Sequence, residues 1–252
     1  GPVESKEQIE NEVKKVGLPV IIKAAAGGGG RGMRIVRELS ELWDAIEDAR
    51  SEANVAFGSD LVFIERYLEK PRHVEIQIFG DGKGNAVHLF SRDCSLQRKY
   101  QKVIEEAPAI NIPDEKINEI YQISVNACCE LNYEGAGTLE FLYENGEFFF
   151  IEMNTRIQVE HTVTEMITGV DLVQAQLELA MNDVYNFDQS KIKINGHAMQ
   201  CRINAEDPNS FVPSPGRIMQ IHRPGGYHVR FESQIYSGYD VPAYYDSLIA
   251  EI

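Results

Sequence analysis

Two glutamates in neighbouring apolar segments are the first residues of this sequence that could do chemistry. Glu140 and Glu152 are each flanked on both sides by bulky apolar side chains. An unpaired carboxylate buried in such surroundings is costly, so a cation must lie nearby or the glutamates must face solvent. Carboxylate oxygens, together with Asn154 two residues beyond Glu152, suit Mg²⁺ or Mn²⁺ bridging the phosphates of a substrate. A solvated face of an antiparallel sheet explains the same residues equally well.

The residues between the two glutamates predict a β-hairpin over 136–143 and 148–153, because Asn145-Gly146 is a turn sequence. A two-residue turn pairs residue 144 with 147 and places the glutamates on opposite faces. A three-residue loop over 144–146, with Gly146 in the left-handed conformation, pairs 143 with 147 and places them diagonally on one face. We predict the three-residue loop and the shared face.

A polar run follows the second glutamate directly. It reads Asn154-Thr155-Arg156-Ile157-Gln158-Val159-Glu160-His161 and lies between an apolar strand and a predicted helix. The guanidinium of Arg156 is a planar fork that fits a small oxyanion, and the carboxylate of Glu160 can act as a base. A network of helix caps and salt bridges is the alternative. The position of the run beside the candidate metal ligands favours a functional site.

A glycine-rich loop near the N-terminus is a second candidate. Lys23 ends an apolar segment, and the four consecutive glycines 27–30 follow it. Glycine exposes backbone N–H groups and adopts positive φ without steric cost, so such a loop can wrap a polyphosphate. It is neither a Walker loop nor a G-x-G-x-x-G turn that opens a long helix. A flexible surface turn explains the glycines alone, but the preceding lysine and a predicted strand afterwards favour a flap over nucleotide phosphates.

The composition is that of an ordinary globular protein and limits the partners. Of 252 residues, 43% are apolar and 25% are charged, which excludes disordered and fibrous classes. Lys and Arg number 24 against 39 Asp and Glu, and the resulting charge of −15 argues against a nucleic-acid partner. We expect no membrane span, because no run of about 18 apolar residues occurs. Four cysteines without a C-x-x-C pair fit a reducing, cytoplasmic setting.

The elements that must position these residues change character along the chain. Helical periodicity near 6–16 and after Ser40, with short strands around the glycine loop, predicts a lid lobe over residues 1–67. Longer alternating strands predict an antiparallel-sheet lobe over 68–195, which contains the candidate metal ligands. Strands return after Gly196 and predict a third part over 196–252. The predicted class is α+β.

Six segments together resemble the biotin carboxylase component of biotin-dependent carboxylases. They are Ile22-Lys23-Ala24 through Gly32-Met33-Arg34, Arg72-His73-Val74-Glu75-Ile76-Gln77, Arg92-Asp93-Cys94-Ser95, Glu105-Glu106-Ala107-Pro108, Phe150 through His161, and Arg202-Ile203-Asn204-Ala205-Glu206-Asp207. The resemblance extends along nearly the whole chain, and its last two segments are highly specific.

The resemblance implies an ATP-grasp fold with a glycine-loop lid and the start of a biotin carboxylase C-terminal domain. It implies a reaction in two steps. ATP phosphorylates bicarbonate to carboxyphosphate, and the CO₂ then passes to the ureido nitrogen of biotin on a carrier protein. The implied ligands are therefore ATP, Mg²⁺ or Mn²⁺, bicarbonate and biotin. The implied partners are a biotin carboxyl carrier protein and a carboxyltransferase, and homodimers are common in the family.

The resemblance also implies which residues bind the nucleotide and metal. Phosphates are held by Lys23 and the backbone of Gly29 and Gly30. The adenine-binding hinge comprises Glu65, Arg66, Tyr67 and Leu68. Further nucleotide contacts match His73, Gln97 and Tyr100, the last standing where the family usually has a histidine. The metal ligands match Glu140, Glu152 and Asn154, and Glu140 and Glu152 are also counted among the nucleotide-binding residues.

The remaining implied residues handle bicarbonate and biotin. The bicarbonate pocket matches Lys102, Arg156, Gln158 and the backbone of Val159. Glu160 matches the base that deprotonates bicarbonate, and Arg202 matches the residue that stabilises the enolate-like oxyanion of biotin. These cations are few and local on an acidic chain, as a reaction that gathers several anions requires.

Relative to the family, the chain begins near the lid and ends within the C-terminal domain. We therefore expect a chain that lacks the N-terminal domain and by itself turns over little or no ATP. Two alternatives stay open: another ATP-grasp ligase, such as carbamoyl-phosphate synthetase, and a nucleotide-binding module without catalysis. The segment that begins at Arg202 argues against the first. Tight binding of Mg-ATP without turnover would indicate the second.

Overall fold

The computed structural model describes residues 2–3, 6–26 and 33–252, so the predicted glycine loop with Gly29 and Gly30 lies outside the described residues. The described helices are α1 (Lys6–Val16), α2 (Leu42–Phe57), α3 (Asp114–Glu130), α4 (His161–Thr168) and α5 (Leu172–Asn182), with a 3-10 turn at Leu39–Glu41. Within these residues no helix has both the length and the apolar character needed to cross a membrane.

The described strands are β1 (Pro2–Val3), β2 (Val20–Ala24), β3 (Arg34–Val36), β4 (Val62–Arg66), β5 (Arg72–Asp81), β6 (Ala86–Arg98), β7 (Gln101–Ala107), β8 (Glu134–Glu144), β9 (Glu147–Asn154), β10 (Ala198–Asn204), β11 (Gly216–Arg217), β12 (Asp240–Val241) and β13 (Leu248–Glu251). They divide between two compact units, Gly1–Pro71 with Arg98–Gln101, and Arg72–Gln97 with Lys102–Ile252.

The first unit contains a four-stranded antiparallel sheet in the order β1-β4-β2-β3. Its helices cover the sheet with apolar residues that recur at helical spacing. Ile9 and Val13 of α1, and Leu42 and Ile46 of α2, are buried in one cluster with the apolar residues of β2. β2 reads as a continuous apolar run because the helices bury its side chains, and its lysine is therefore placed by a rigid strand.

The second unit is built on a seven-stranded sheet in the order β13-β10-β7-β6-β5-β8-β9. Alternate residues of β5 divide between its faces. Ile76 and Ile78 pack with α3, whereas Phe79 packs on the other side with Leu172 and Leu179 of α5. Mixed helices and antiparallel strands confirm the predicted α+β class. The face that carries Phe79 also carries the polar residues of the site.

The chain after residue 196 contributes to the same sheet. β10 pairs antiparallel with β7 and with β13, so that Arg202 lies opposite Glu251 and Gln200 lies opposite Glu105. This pairing joins strands nearly a hundred residues apart in sequence. It brings the segment that begins at Arg202 to the site on β5–β8.

Candidate active site

The turn of the β8–β9 hairpin is not the predicted one. Glu144 pairs with Glu147, so the loop has two residues, Asn145 and Gly146, which both have positive φ, 53° and 83°. The prediction of a three-residue loop is therefore wrong. Asn-Gly adopts the two-residue turn because its twist matches that of the flanking strands.

Glu140 and Glu152 nevertheless share a face, because a β-bulge corrects the register. Phe141 pairs with Phe150, but Glu140 pairs with Glu152, and Ile151 is the extra residue between them. Without the bulge the two-residue turn would have placed the carboxylates on opposite faces. The predicted convergence of the two acids is thus confirmed by a mechanism that the sequence analysis did not contain.

The two carboxylates meet at Asn154. Its Nδ2 lies 3.0 Å from Oε1 of Glu140 and 3.3 Å from Oε1 of Glu152. Glu140 is buried and Glu152 is exposed, so one end of the pair is rigid and the other is open to a ligand. Rotation of the amide by half a turn places Oδ1 where Nδ2 lies now. Two carboxylates and an amide oxygen then surround one point, and this oxygen-donor set fits Mg²⁺ or Mn²⁺.

Lys102 of β7 forms the centre of the buried charges. Its Nζ contacts Oε1 of Glu75, lies 2.8 Å from Oε1 of Glu140 and lies 2.5 Å from Oε1 of Glu160. Burial opposes the charged form, but the attraction of Glu75 and Glu160 outweighs it and raises the pKa of Lys102. An ammonium group has three hydrogens, and here each faces a carboxylate.

His73 is a second cation beside the same acids. Its Nε2 lies 3.1 Å from an oxygen of Glu75 and 3.1 Å from an oxygen of Glu140. Burial lowers the pKa of His73, but the contacts with Glu140 and Glu75 exceed this effect and raise it to about 9. Gln97, which follows on β6, contacts Nδ1 of His73 at 3.2 Å. The predicted nucleotide contacts His73 and Gln97 therefore lie together.

Arg92 of β6 is a residue of the site that the sequence analysis missed. It is fully buried and donates to Glu75 through Nε and Nη2, at 3.2 and 3.0 Å. It also donates to Gln77, Thr164, Thr138 and Gln158. The only signal lay on β5, where Glu75 and Gln77 alternate with Val74, Ile76 and Ile78 and so predict a polar face that needs a buried partner. Burial of an arginine is tolerated only when all its donors are used, as they are here.

The polar run after β9 adds further residues to this cluster. Gln158 is buried, donates from Nε2 to Oε1 of Glu140 at 2.9 Å and accepts from Arg92. Arg156 is exposed and lies beside Asn154, with Nη2 3.4 Å from Oδ1. Glu160 is buried at the N-terminus of α4. Val159 lies between Gln158 and Glu160 and is half-buried. The run therefore folds back onto the carboxylate pair.

Arg202 of β10 reaches the same acids from the other side. Its Nη2 donates to Oε2 of Glu160 at 2.9 Å, and its Nε donates to Oε1 of Glu105 at 2.6 Å. Burial opposes the charged form, but the attraction of Glu105 and Glu160 raises the pKa of Arg202. Glu160 consequently lies between two cations, Lys102 and Arg202, one at each oxygen.

In the first unit, the predicted phosphate-binding lysine faces the predicted adenine hinge. Nζ of Lys23 lies 2.5 Å from Oε2 of Glu65, across the paired strands β2 and β4. Both side chains are partly exposed, so this ion pair is open to a ligand.

The hinge itself leaves the sheet after Arg66, which pairs with Val20. Arg66 is exposed, and Leu68 is buried. The N–H of Tyr67 donates to the carbonyl of Pro19 at 3.0 Å, which fixes the start of the hinge. Tyr100, in the turn between β6 and β7, is mostly exposed and has a φ of 64°.

Comparison with known proteins identifies the family. Residues 1–186 match the family described as carbamoyl-phosphate synthase L chain, ATP binding domain. The chain belongs to this family. Residues 200–252 match the biotin carboxylase C-terminal domain. The second match distinguishes the chain from other members of the first family, and the predicted resemblance to biotin carboxylases is confirmed.

Relatives and solved structures agree with these matches. The chain is 57% identical to the biotin carboxylase of Haemophilus influenzae. The alignment covers all of this chain and 56% of that protein. It is 47% identical to the pyruvate carboxylase of Bacillus subtilis, with all of this chain and 23% of that protein covered.

A biotin carboxylase–β,γ-ATP complex from Campylobacter jejuni superposes with a TM-score of 0.93 at 47% identity. The biotin carboxylase domain dimer of 2-oxoglutarate carboxylase from Hydrogenobacter thermophilus, with MgADP and bicarbonate, gives 0.94 at 46%. In both cases all of this chain and 56% of the other chain are covered. The predicted ATP-grasp fold is confirmed, and the chain spans about half the length of the biotin carboxylases it matches.

Proposed function

We propose that this chain carries the nucleotide, metal and bicarbonate sites of a biotin carboxylase. In the proposed reaction, Glu160 takes the proton of bicarbonate, and a carbonate oxygen attacks the γ-phosphorus of ATP. The bond from this phosphorus to the bridging oxygen breaks, which yields ADP and carboxyphosphate. Carboxyphosphate then divides into phosphate and CO₂. The phosphate takes the proton of the ureido nitrogen of biotin, and this nitrogen bonds to the carbon of CO₂.

The observation that carries this proposal is the placement of Glu160. The carboxylate is buried and has Lys102 at one oxygen and Arg202 at the other. A base that works on an anionic substrate needs cations beside it, because otherwise bicarbonate would be repelled. The same cations are suited to bind the bicarbonate oxygens and the ureido oxyanion. Arg156 and the backbone of Val159 are proposed to complete the bicarbonate pocket, with Gln158 held by Glu140.

The metal ligands are proposed to be Glu140, Glu152 and Asn154. Mg²⁺ or Mn²⁺ held there would neutralise the phosphate charge that develops during phosphoryl transfer. Further nucleotide contacts are assigned to Lys23, the 65–68 hinge, His73, Gln97 and Tyr100, and to the backbone of Gly29 and Gly30. Tyr100 can donate a hydrogen bond but carries no positive charge near neutral pH, unlike a protonated histidine.

The partners follow from the chemistry of the second step. A carrier protein must present biotin, and a carboxyltransferase must consume the carboxybiotin, so both are proposed partners. A homodimer, a cytoplasmic location and the division into 1–67, 68–195 and 196–252 belong to the same proposal. The match of 200–252 to a biotin carboxylase C-terminal domain supports this function over carbamoyl-phosphate synthesis.

The test uses the full-length protein that carries this sequence, with Mg-ATP, labelled bicarbonate and free biotin. We expect bicarbonate-dependent ADP formation and labelled carboxybiotin. Glu160→Gln should lower both by about 100-fold or more, because it removes the base and takes one carboxylate partner from each of two cations, Lys102 and Arg202. Glu178→Gln, at a half-buried position of α5 where the side chain accepts from Gln174, is the matched control. Normal ADP formation by Glu160→Gln, or none by the unaltered protein, would contradict the proposal.

A further inference from the structure

Glu105 is a buried acid of the site to which the reaction assigns no role. It lies on β7, has no exposed surface and gives Oε1 to Nε of Arg202 at 2.6 Å. Its Oε2 has no hydrogen-bond partner among the described residues. Burial raises the pKa of Glu105, although Arg202 opposes this effect. A buried carboxylate with one unpaired oxygen destabilises the folded state, so the presence of Glu105 needs an explanation other than stability.

Arg202 is shared between two acids in a specific way. Nε and Nη2 form one edge of the planar guanidinium, and this edge would form the two parallel bonds of a bidentate pair with a single carboxylate. Here the edge is divided, because Nε contacts Glu105 and Nη2 contacts Glu160. Nη1 has no acceptor within the described part of the chain. The division therefore directs Nη1 away from both acids.

We propose that Glu105 is a positioning residue that prevents Arg202 from closing onto Glu160 as a bidentate pair. By holding Nε, it fixes the direction in which Nη1 points toward the ureido oxyanion, and it keeps Arg202 from making a second contact with Glu160, whose Oε1 faces Lys102. This inference rests on the proposed roles of Glu160 and Arg202. It adds a residue that acts through Arg202 and touches no substrate.

The neighbouring residue gives a matched control. Glu106 follows Glu105 on the same strand and points to the opposite face, where its Oε2 lies 3.3 Å from Nε2 of His197. Both glutamates thus face a basic side chain of a neighbouring segment, but only Glu105 contacts the arginine of the site. If loss of a negative charge or of strand pairing alone changed the activity, substitution of Glu105 and substitution of Glu106 would have the same effect.

The experiment measures ADP and carboxybiotin formed by the full-length protein with saturating Mg-ATP, bicarbonate and free biotin. Glu105→Leu removes the acceptor and should lower carboxybiotin formation by about 30-fold, because a small misplacement of a reacting group is that costly. ATP cleavage should fall less, so ADP formed per carboxybiotin should rise at least about fivefold. The KM for ATP should stay within about twofold, since Glu105 is not assigned to the nucleotide.

Two further variants separate positioning from folding. Glu105→Gln keeps an oxygen acceptor at the same distance and should restore the ADP-to-carboxybiotin ratio to within about twofold of the unaltered protein. Glu105→Asp withdraws the carboxylate by one methylene group and should raise the ratio by an intermediate amount. It keeps the test decisive if the leucine variant does not fold. Glu106→Gln should leave the ratio unchanged.

A loss of folded protein lowers both products together and leaves their ratio unchanged. An unchanged ratio in folded Glu105→Leu and Glu105→Asp would therefore overturn the inference. A crystal structure of either variant gives an answer independent of activity: we expect Nε and Nη2 of Arg202 on the two oxygens of Glu160. If the unaltered protein makes no carboxybiotin, the proposed function fails, and the position of Arg202 still decides the role of Glu105.

Discussion

At the scale of residues, the site is a continuous alternation of buried charges. Glu105, Arg202, Glu160, Lys102, Glu75 and Arg92 contact one another in that order. Removal of a charge from water is costly, and in this series each charged group has at least one partner of opposite sign that offsets the cost. Such an arrangement fixes the geometry of the site before a ligand binds, which favours rapid chemistry over stability.

Substitution of Arg92 tests whether the charge network depends on this fully buried arginine. Arg92→Met keeps the approximate length of the side chain but leaves Oε2 of Glu75 and four uncharged acceptors without this donor. We expect the free energy of unfolding to fall by about 3–5 kcal/mol, measured by urea denaturation. Lys83→Met breaks an exposed pair with Asp183 and should barely move the midpoint. Equal effects of the two changes would show that the buried network is not structural.

Substitution of Glu152 tests the proposed metal site by metal affinity rather than by enzymatic activity. Glu152→Gln removes one of two converging carboxylates and keeps the size of the side chain. We expect the affinity for Mn²⁺, in the presence of a non-hydrolysable ATP analogue, to fall at least about tenfold in an EPR titration. Glu147→Gln, at the other end of β9, is the control, because its side chain lies away from Asn154. Equal Mn²⁺ affinities of the two variants would remove Glu152 from the ligand set.

At the scale of elements, the β8–β9 hairpin shows what local sequence predicts and what it does not. Asn145-Gly146 and the alternation around it predicted the hairpin correctly. The loop length was wrong, because the shared face of the two acids was attributed to the turn alone. In the structure the two acids share a face because of a β-bulge at Ile151. No glycine or other residue typical of a bulge marks this position in the sequence. A bulge depends on packing across the sheet, which local patterns do not contain.

β6 contains a titratable residue whose effect on stability has a definite sign. His88 stacks on Tyr121 of α3, with ring centroids 4.3 Å apart. Burial lowers the pKa of His88 from 6.5 to about 4. The unfolded chain therefore binds a proton between about pH 6.5 and 4 that the folded chain does not, so stability falls as the pH falls through this interval. Above about pH 6.5 both states are neutral, and this contribution no longer changes.

His88→Phe keeps an aromatic ring on Tyr121 and removes the proton-binding site. We expect the unaltered protein to lose about 1 kcal/mol of stability from this residue between pH 7 and pH 5, after allowance for its partial exposure. The phenylalanine variant should show a correspondingly flatter profile in urea denaturation at several pH values. If stability fell with pH equally in the two proteins, His88 would bind a proton in the folded chain as readily as in the unfolded chain, and the prediction would be wrong.

At the scale of the whole molecule, the sequence predicted the fold class and the convergence of the paired acids, but not how distant strands meet. The polar run and the paired acids are local patterns, so Glu140, Glu152, Asn154 and Glu160 could be proposed as site residues directly from the sequence. Arg92 was overlooked because its partners lie on β5, β8 and α4 and in the polar run, which only the folded sheet brings together. The pairing of β10 with β7 is equally non-local and places Arg202 at the site.

The two compact units have separate apolar cores. This separation predicts that each unit can unfold locally without the other. Ile22 is fully buried in the core formed by α1, α2 and their sheet. Ile22→Ala should destabilise that core by about 2–5 kcal/mol. We expect amide exchange, followed by mass spectrometry, to accelerate at least about 30-fold in β2 and β4.

The same substitution should leave exchange in β5 and β8 unchanged, because their protection comes from the clusters around Ile76 and Phe79. Ile78→Val is the reciprocal change and should accelerate exchange only in the seven-stranded sheet. Equal acceleration in both units by either variant would mean that they unfold as one cooperative body. Separate unfolding would instead let the first unit, which contains Lys23 and Glu65, change its structure while the charge network of the second unit keeps its geometry.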